Sequence, residues 1–201
     1  MRKELSYFTI DHSYGGNQSW FQDPMMKLGG CGAATACDSC ICLALNKEKA
    51  SLYPYDLHRL TKEDYIRFAM KMKPYLRPRM QGINTLELFI DGFAKYLSEL
   101  GEERVRLEAF SGDNTLDKAK EVIREQIENN NPIPYLLLRH KSYSMKHLVW
   151  HWFLVIGYEE FEDEFHIKIA TYGNYSWLSL KELWNTGYPD KGGIVLLREK
   201  Q

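Results

Sequence analysis

The sequence predicts an α+β protein, in which a helical N-terminal half packs on an antiparallel β-sheet formed by the C-terminal half. Helical periodicity dominates about residues 1–100, and strand-like apolar runs dominate about residues 101–201. Strands and helices do not alternate along the chain, as they do in parallel α/β folds. The 201 residues contain no repeat, linker or low-complexity segment, so a single domain over residues 1–201 is expected.

The elements of the first half follow from apolar spacing and helix-start signals. Leu5 to Ile10 is predicted as a first strand, followed by a polar, glycine-rich and aromatic loop. Thr61 with Asp64, and Asn84 with Glu87, have the spacing of helix-capping pairs. The predicted helices are Ala33 to Asn46, Thr61 to Pro74, and Asn84 to Gly101.

The second half has strand patterns around one further helix. Polar and apolar residues alternate from Arg104 to Ala109, as in a half-buried strand. A helix with an apolar stripe from Leu116 to Ile127 follows, and the acidic segment Glu159 to Glu164 is predicted as a hairpin turn. The later strands are predicted at Tyr135–Arg139, Trp150–Tyr158, Phe165–Tyr172 and Ile194–Arg198.

Charge and composition exclude several classes of partner. Lys plus Arg is 26 and Asp plus Glu is 27, so a nucleic-acid or anionic-membrane surface is not expected. The longest apolar run, Trp150 to Gly157, is too short to span a membrane. The N-terminus lacks the apolar core of a signal peptide, and the four cysteines lie too close together for a disulfide framework. A reducing cytoplasmic location is therefore expected.

The most informative segment is Gly29-Gly-Cys-Gly-Ala-Ala-Thr-Ala36, in which glycines flank Cys31 immediately before a predicted helix. A helix start supplies free backbone N–H groups and a positive dipole end, which stabilise a thiolate or an oxyanion. Cys31 is therefore a candidate nucleophile, and the alternative is a small buried cysteine that only packs at a helix start.

A thiol nucleophile needs a base, which is usually histidine. His151 is the best candidate among six histidines, because it opens an apolar strand that holds the ring rigidly and partly desolvates it. His147 is the second choice, and a core histidine without a catalytic role is the alternative. A zinc site at Cys37-x-x-Cys40-x-Cys42 is not favoured, because these cysteines lie within a helical pattern, so neither metal nor cofactor is expected.

These segments together resemble the papain-like cysteine peptidases. The match rests on the glycine-flanked Cys31, a helical middle, and the strand His151-Trp-Phe-Leu-Val-Ile-Gly-Tyr158 with a strand after it. It is closest to the bacteriocin-processing branch, which cleaves double-glycine leaders, and it covers most of the chain. Ala33 stands where the family usually has proline. The resemblance implies that the cysteine is the nucleophile and the histidine the base.

The resemblance also implies an oxyanion glutamine before the cysteine and a third catalytic residue after the histidine strand. Gln22 is the best match for the glutamine, with Gln18 as the alternative. The family's Asp or Asn should fall near Thr171, where no carboxylate stands. Asn174 could orient the imidazole if the strand bulges, and the Thr171 hydroxyl could do so less strongly.

We expect a thiol hydrolase that cleaves an amide, ester or thioester of a peptide or acyl-bearing substrate. An acyltransferase of the same fold is one alternative. A binding module that lost its chemistry along with the third catalytic residue is another. Aromatic residues near the two motifs, Trp20, Trp152 and Tyr172, are candidate substrate contacts, although rings of this size more often fill a core.

Overall fold

The computed structural model describes residues 1–47, 49–80 and 82–199, which form a mixed α+β architecture with an antiparallel sheet. The helices are α1 Pro24–Gly29, α2 Cys31–Lys47, α3 Lys62–Met72, α4 Leu86–Glu99, α5 Leu116–Glu128 and α6 Leu180–Trp184. The strands are β1 Arg2–Glu4, β2 Thr9–Ile10, β3 Ser13–Tyr14, β4 Val105–Ser111, β5 Ile133–Leu137, β6 His151–Phe161, β7 Glu164–Thr171, β8 Asn174–Ser179 and β9 Gly192–Glu199. Short 3₁₀ helices lie at Gln18–Trp20, Ala50–Leu52 and Tyr143–Leu148.

The main sheet has the order β4-β9-β5-β6-β7-β8, and every pair is antiparallel. Strand β1 pairs with the later part of β6, beyond the point where β5 ends. Strand β6 is therefore central, and all but its last three residues are buried. At its first residue, His151, β6 pairs with Leu137 of β5, and its ladder with β7 begins at Leu154.

Helix α2 is buried almost all round, from Cys31 to Ala44. The sequence predicts only one buried face, which includes Ala34 and Leu45, but Leu45 is exposed and the rest of the circumference is covered. Small residues explain the difference, because alanine, cysteine and serine let neighbouring elements approach the helix axis closely. Its contacts reach β6 on one side and α3 on the other.

The two faces of the sheet are covered by different helices. One hydrophobic cluster joins α2, α3 and α4 to side chains such as Leu136 and Trp152. A second cluster joins α5 and α6 to Tyr135, Phe153 and Val155 on alternate positions of the same strands. Because successive side chains of β5 and β6 point to opposite faces of the sheet, these two strands contribute to both hydrophobic clusters.

Several predicted boundaries differ from the structure. The strand predicted at Leu5–Ile10 is replaced by β1 and β2, and the helix predicted from Ala33 begins at Cys31. The cap of α4 is Thr85 rather than Asn84, since the Thr85 side chain accepts a hydrogen bond from the Leu88 N–H. The sequence analysis did not predict α1, β8 or α6, because each is short and has weak periodicity. No helix within the described ranges is long and apolar enough to cross a bilayer.

Candidate active site

Cys31 is the first residue of α2 and follows a sharp junction with α1. Gly30 separates the two helices, and its N–H donates to the Met26 carbonyl at 2.9 Å. A Cβ atom on Gly30 would lie 2.3 Å from that carbonyl oxygen, so a residue with a side chain does not fit there. The glycine before the cysteine is therefore required by the close approach of two backbones.

Burial raises the pKa of the Cys31 thiol, although the backbone N–H groups of Trp152, Gly32 and Cys31 itself act to lower it. Two of these groups, those of Cys31 and Gly32, lie at the helix start where the sequence predicts free N–H groups, and the third, that of Trp152, lies on β6. The sequence also predicts that helix-start N–H groups stabilise a thiolate, but desolvation has the larger effect on this pKa. The resting thiol is consequently neutral near pH 7.

His151 lies at the start of β6 and is buried. Its Nε2 lies 2.6 Å from the Thr171 hydroxyl, and its ring stacks on Tyr172 with centroids 4.3 Å apart. Burial, with a smaller contribution from the charge of His147, lowers the pKa of His151 to about 4. The imidazole is therefore neutral at pH 7 and can accept a proton. Within the described residues, no hydrogen bond joins it to Cys31.

Thr171, rather than Asn174, contacts the imidazole. These two residues pair across a tight hairpin between β7 and β8, whose turn residues Tyr172 and Gly173 both have positive φ. Such a two-residue turn ends the ladder regularly, so the strand does not bulge as it would have to for Asn174 to reach the ring. Asn174 is exposed instead, and its amide lies 3.5 Å from the Tyr172 carbonyl.

We expect Thr171→Val to lower the rate of acyl transfer to Cys31 by about tenfold, because it removes one partner of a buried hydrogen bond worth about 1–1.5 kcal/mol. Valine keeps the branched shape but leaves His151 Nε2 without this partner, so the melting temperature should fall by about 2–6 °C and the rate is compared well below it. The rate is measured by release of p-nitrophenolate from an activated ester, with the exposed Asn174→Ala as the matched control. Equal loss in both variants would contradict this role for the hydroxyl.

Cys31 and His151 line the same cavity, whose volume is about 670 Å³. The side chains around its mouth include four exposed apolar ones, Leu28, Met80, Trp150 and Tyr172. A second, much smaller space of about 20 Å³ also touches Cys31 and His151, and Thr171 and Asp38 line it as well. The two predicted reacting residues therefore face one shared space that solvent can enter.

The structure does not place Gln22 in this cavity. Gln22 is exposed and does not line it, whereas Gln18, the alternative, lines both the large and the small space. The Gln18 Nε2 donates to the Lys27 carbonyl at 2.9 Å, which fixes the amide and leaves its second hydrogen free. A helix not predicted from the sequence, α1, lies between Gln22 and Cys31 and separates them.

The predicted aromatic contacts divide between cavity and core. Tyr172 lines the large cavity, whereas Trp20 packs edge-on against Tyr65 and does not line it. Trp152 is buried, stacks on Phe89, and borders only the small space. Trp150, a further aromatic beside the two motifs that the sequence offers as a cleft residue, is half exposed and lines the cavity immediately before His151.

Asp38 is a site residue that the sequence patterns did not indicate. Its side chain is only 6% exposed and lies two helical turns after Cys31. The spacing of Cys31, Ala34 and Asp38 puts all three on one face of α2, and a carboxylate among small residues on that face was the available signal.

His147, the second candidate base, is exposed and does not line the cavity. The described residues contain no cluster of three metal-ligating side chains, and Cys37, Cys40 and Cys42 are buried in α2.

Comparisons with known proteins do not identify a family for this chain. No protein-family model matches the chain, and no curated protein matches it. Among solved structures, the chain is similar to one from a study of the structural basis for limited antibody cross reactivity between the mite allergens Blo t 1 and Der p 1. The TM-score is 0.40 and the identity 12%, and the match covers 97% of this chain and 75% of the other. The function must therefore be argued from the site itself.

Proposed function

We propose that the protein is a cysteine hydrolase with a papain-like arrangement, in which a central helix carries the nucleophile and a sheet strand carries the base. The observation that carries the proposal is the shared cavity of Cys31 and His151, together with the contact of His151 Nε2 with Thr171. When Nε2–H donates to the threonine hydroxyl, the lone pair of Nδ1 remains available for the thiol proton.

The reaction begins from a neutral pair. The Cys31 sulfur attacks the carbonyl carbon of an amide, ester or thioester, and His151 takes the thiol proton as the sulfur–carbon bond forms. The tetrahedral intermediate collapses, the bond to the leaving group breaks, and His151 returns the proton to that group. Water then attacks the thioester with His151 again as base, which releases the acid and the free thiol.

The charge that develops on the carbonyl oxygen needs donors that are already oriented. The backbone N–H groups that surround the Cys31 sulfur supply one side of such a site. We assign the side-chain contribution to Gln18, because it borders the same spaces as Cys31 and its amide is fixed by the Lys27 carbonyl. Thr171 lacks the charge of the usual third residue, so it orients the imidazole without stabilising the imidazolium strongly.

The mouth of the cavity indicates the class of acyl group. Leu28 is 70% exposed and Met80 is 90% exposed, and both line the cavity beside Trp150. Large apolar side chains in water are stabilised when a ligand covers them. We therefore propose an acyl or peptide substrate with an apolar group next to the scissile carbonyl.

The acylation rate should rise with acyl-chain length in the series p-nitrophenyl acetate, butyrate and octanoate. Each methylene that enters the cavity contributes up to about 0.8 kcal/mol, or about a fourfold gain in kcat/KM. Trp150→Ala should reduce that gain. Tyr143→Ala should not, because Tyr143 is exposed and does not line the cavity. Equal rates along the series in the wild type would contradict an apolar acyl site.

The test of the proposed function is to trap the acyl-enzyme. After rapid mixing with p-nitrophenyl butyrate, intact-protein and peptide mass spectrometry should find one butyryl group on Cys31. Cys31→Ala should show none, whereas Cys42→Ala, which removes a buried thiol later on α2, should keep it. A wild type that is not acylated, or that is acylated equally at other cysteines, would refute the hydrolase.

The fate of the acyl group separates the two enzyme alternatives. An added amine such as glycine amide competes with water for the thioester, and the products are separated by chromatography. Release mainly as the free acid supports the hydrolase, and release mainly as the amide supports the acyltransferase. Tight binding of the ester without acylation would indicate a binding module.

A further inference from the structure

We propose that Asp38 is a positioning residue of this site, whose buried carboxylate holds the backbone of the segment Gly15–Gln18 and thereby keeps the Gln18 amide and the Tyr172 ring in place. The inference rests on the proposed function for its catalytic consequence. Its structural content, the dependence of Gln18 on Asp38, can be tested without a substrate.

Asp38 receives hydrogen bonds from three different parts of the chain. The Tyr7 hydroxyl donates to Oδ2 at 2.6 Å, and the Tyr65 hydroxyl donates to Oδ1 at 2.6 Å. The Gly16 N–H is shared between the two carboxylate oxygens at 3.3 and 3.2 Å. Within the described ranges, no cation forms an ion pair with this carboxylate. All three donors are needed to replace the water that a buried charge has lost.

Two consecutive glycines allow the segment to reach the carboxylate. Gly15 has φ +79, and a Cβ atom there would lie 2.9 Å from Asp38 Oδ2. A Cβ atom on Gly16 would lie 1.9 Å from the Tyr65 ring. The backbone therefore lies directly against the carboxylate and its phenol partner, in a way that other residues do not permit.

The same segment extends into the cavity. Gln18, two residues after Gly16, lines it, and the Asn17 amide donates to the Tyr172 carbonyl at 3.0 Å. Tyr172 in turn stacks on His151. A continuous series of contacts thus runs from Asp38 through Gly16 to the Gln18 amide on one side and to the imidazole on the other.

An apolar residue in the position of Asp38 would avoid the free-energy cost of burying a charge. The presence of a carboxylate there therefore calls for a functional explanation. Burial raises the pKa of Asp38 to about 6, against the smaller opposing effects of Tyr65, Tyr7 and Gly16. The folded protein then binds this proton more readily than the unfolded chain between about pH 4 and 6, so the charge lowers stability as pH rises through that window. A group that reduces stability at neutral pH is typical of a functional position.

The groups that face Asp38 do not titrate in the same range. The pKa values of Tyr7 and Tyr65 are raised well above 10, mainly by burial. Burial also raises the pKa of Cys37 and Cys42 on the same helix. Across the small space, His151 titrates at about pH 4. We therefore expect a change in this segment near pH 6 to follow the ionisation of Asp38.

The experiment is a double-mutant cycle with Asp38→Asn and Gln18→Ala, read as the acylation rate with p-nitrophenyl butyrate. Each single variant should lose about tenfold. The double variant should lose clearly less than the product of the two single losses, because part of the effect of Asp38 passes through Gln18 and the rest passes through Tyr172 to His151. The exposed Gln22→Ala should keep the wild-type rate. Gln126→Leu, which removes a buried polar group bonded to Leu197, is the control for lost stability alone.

Two readouts separate positioning from support of the fold. The acid limb of the wild-type rate should lie near pH 6 and shift towards pH 4 in Asp38→Asn. The melting temperature of Asp38→Asn at pH 7 should be no lower than that of the wild type. A wild-type rate in Asp38→Asn, or losses that multiply in the double variant, would overturn the inference, as would an unchanged acid limb.

An NMR titration makes the inference independent of catalysis. The Gly16 backbone amide and the Gln18 side-chain amide should both shift with a midpoint near pH 6 in the wild type and not in Asp38→Asn. If these shifts occur but no acyl-enzyme forms, the positioning role stands and the hydrolase is refuted. If an acyl-enzyme forms but neither amide responds to Asp38, the hydrolase stands and the positioning role is refuted.

Discussion

His151→Ala should lower the rate of Cys31 acylation by at least about a hundredfold, which is the usual contribution of a general base. The effect is large because the neutral Cys31 thiol, with its pKa raised by burial, cannot attack until a base removes its proton. No other histidine lines the cavity among the described residues. The measurement is the burst of p-nitrophenolate from p-nitrophenyl butyrate, followed from pH 4 to 9.

The matched control for this prediction is His147→Ala. His147 lies four residues earlier, is exposed, and is outside the cavity, so its rate should be within about twofold of the wild type, as for surface changes away from special features. His151→Asn provides a second variant that keeps a polar group beside Thr171 without a base. Restored acylation in His151→Asn, or equal loss in His147→Ala, would refute the assignment of the base.

The pH dependence of acylation and of thiol labelling follows from the shifted pKa values of His151 and Cys31. The pKa of His151 lies at about 4, so the imidazole is available as a base throughout the neutral range, provided that Asp38 holds the site. The raised pKa of Cys31 means that direct thiolate formation contributes only at alkaline pH. Labelling by iodoacetamide in the absence of substrate should therefore increase only at a pH above that at which an ordinary thiol ionises, about 8.5.

Gly16→Ala should reduce the free energy of unfolding by about 3 kcal/mol or more, the upper range for inserting atoms into a packed site. The added methyl carbon would lie 1.9 Å from two atoms of the Tyr65 phenol. That phenol cannot move away freely, because it is buried and its hydroxyl donates to Asp38. The segment that carries Gln18 must shift instead, so acylation should fall with stability. Urea unfolding at pH 7 measures the first effect.

Gly101→Ala is the control for a glycine in open space. Gly101 has φ +77, and a Cβ atom there meets no other atom within 4 Å. Its cost is limited to the left-handed backbone conformation, about 1–2 kcal/mol, and acylation of the folded protein should be unchanged. If Gly16→Ala is no less stable than Gly101→Ala, the close packing of Gly16 on Tyr65 is not what holds the segment.

The sequence predicts where the two candidate residues lie in the fold, because each has a local signal. Glycines on both sides of Cys31 mark a position where the backbone turns into a helix, and the structure starts α2 at that residue. His151 opens an apolar run, and the structure starts β6 there. Neither signal gives the distance between the two residues, which is set by packing of the buried helix against β6.

The supporting residues were harder to predict, since they depend on turns and on contacts distant in sequence. Thr171 is chosen over Asn174 by a two-residue hairpin whose turn conformation the sequence pattern did not indicate. Gln18 reaches the cavity and Gln22 does not, because the 3₁₀ turn that carries Gln18 packs on α1 and the Gln18 amide donates to the Lys27 carbonyl. In both cases a change of three or four residues along the chain decides which side chain reaches the cavity.

The sequence by itself determined the α+β class, the strongest helices and strands, and Cys31 and His151 as the candidate nucleophile and base, because these follow from local periodicity and glycine placement. Only the tertiary structure decided the pKa shifts and the partners. Burial raises the pKa of the Cys31 thiol and lowers that of the His151 imidazole, which widens the pH range over which both are neutral, and it places Asp38 at the centre of a hydrogen-bond network. Desolvation depends on what surrounds a residue in space, and residue order along the chain does not specify that.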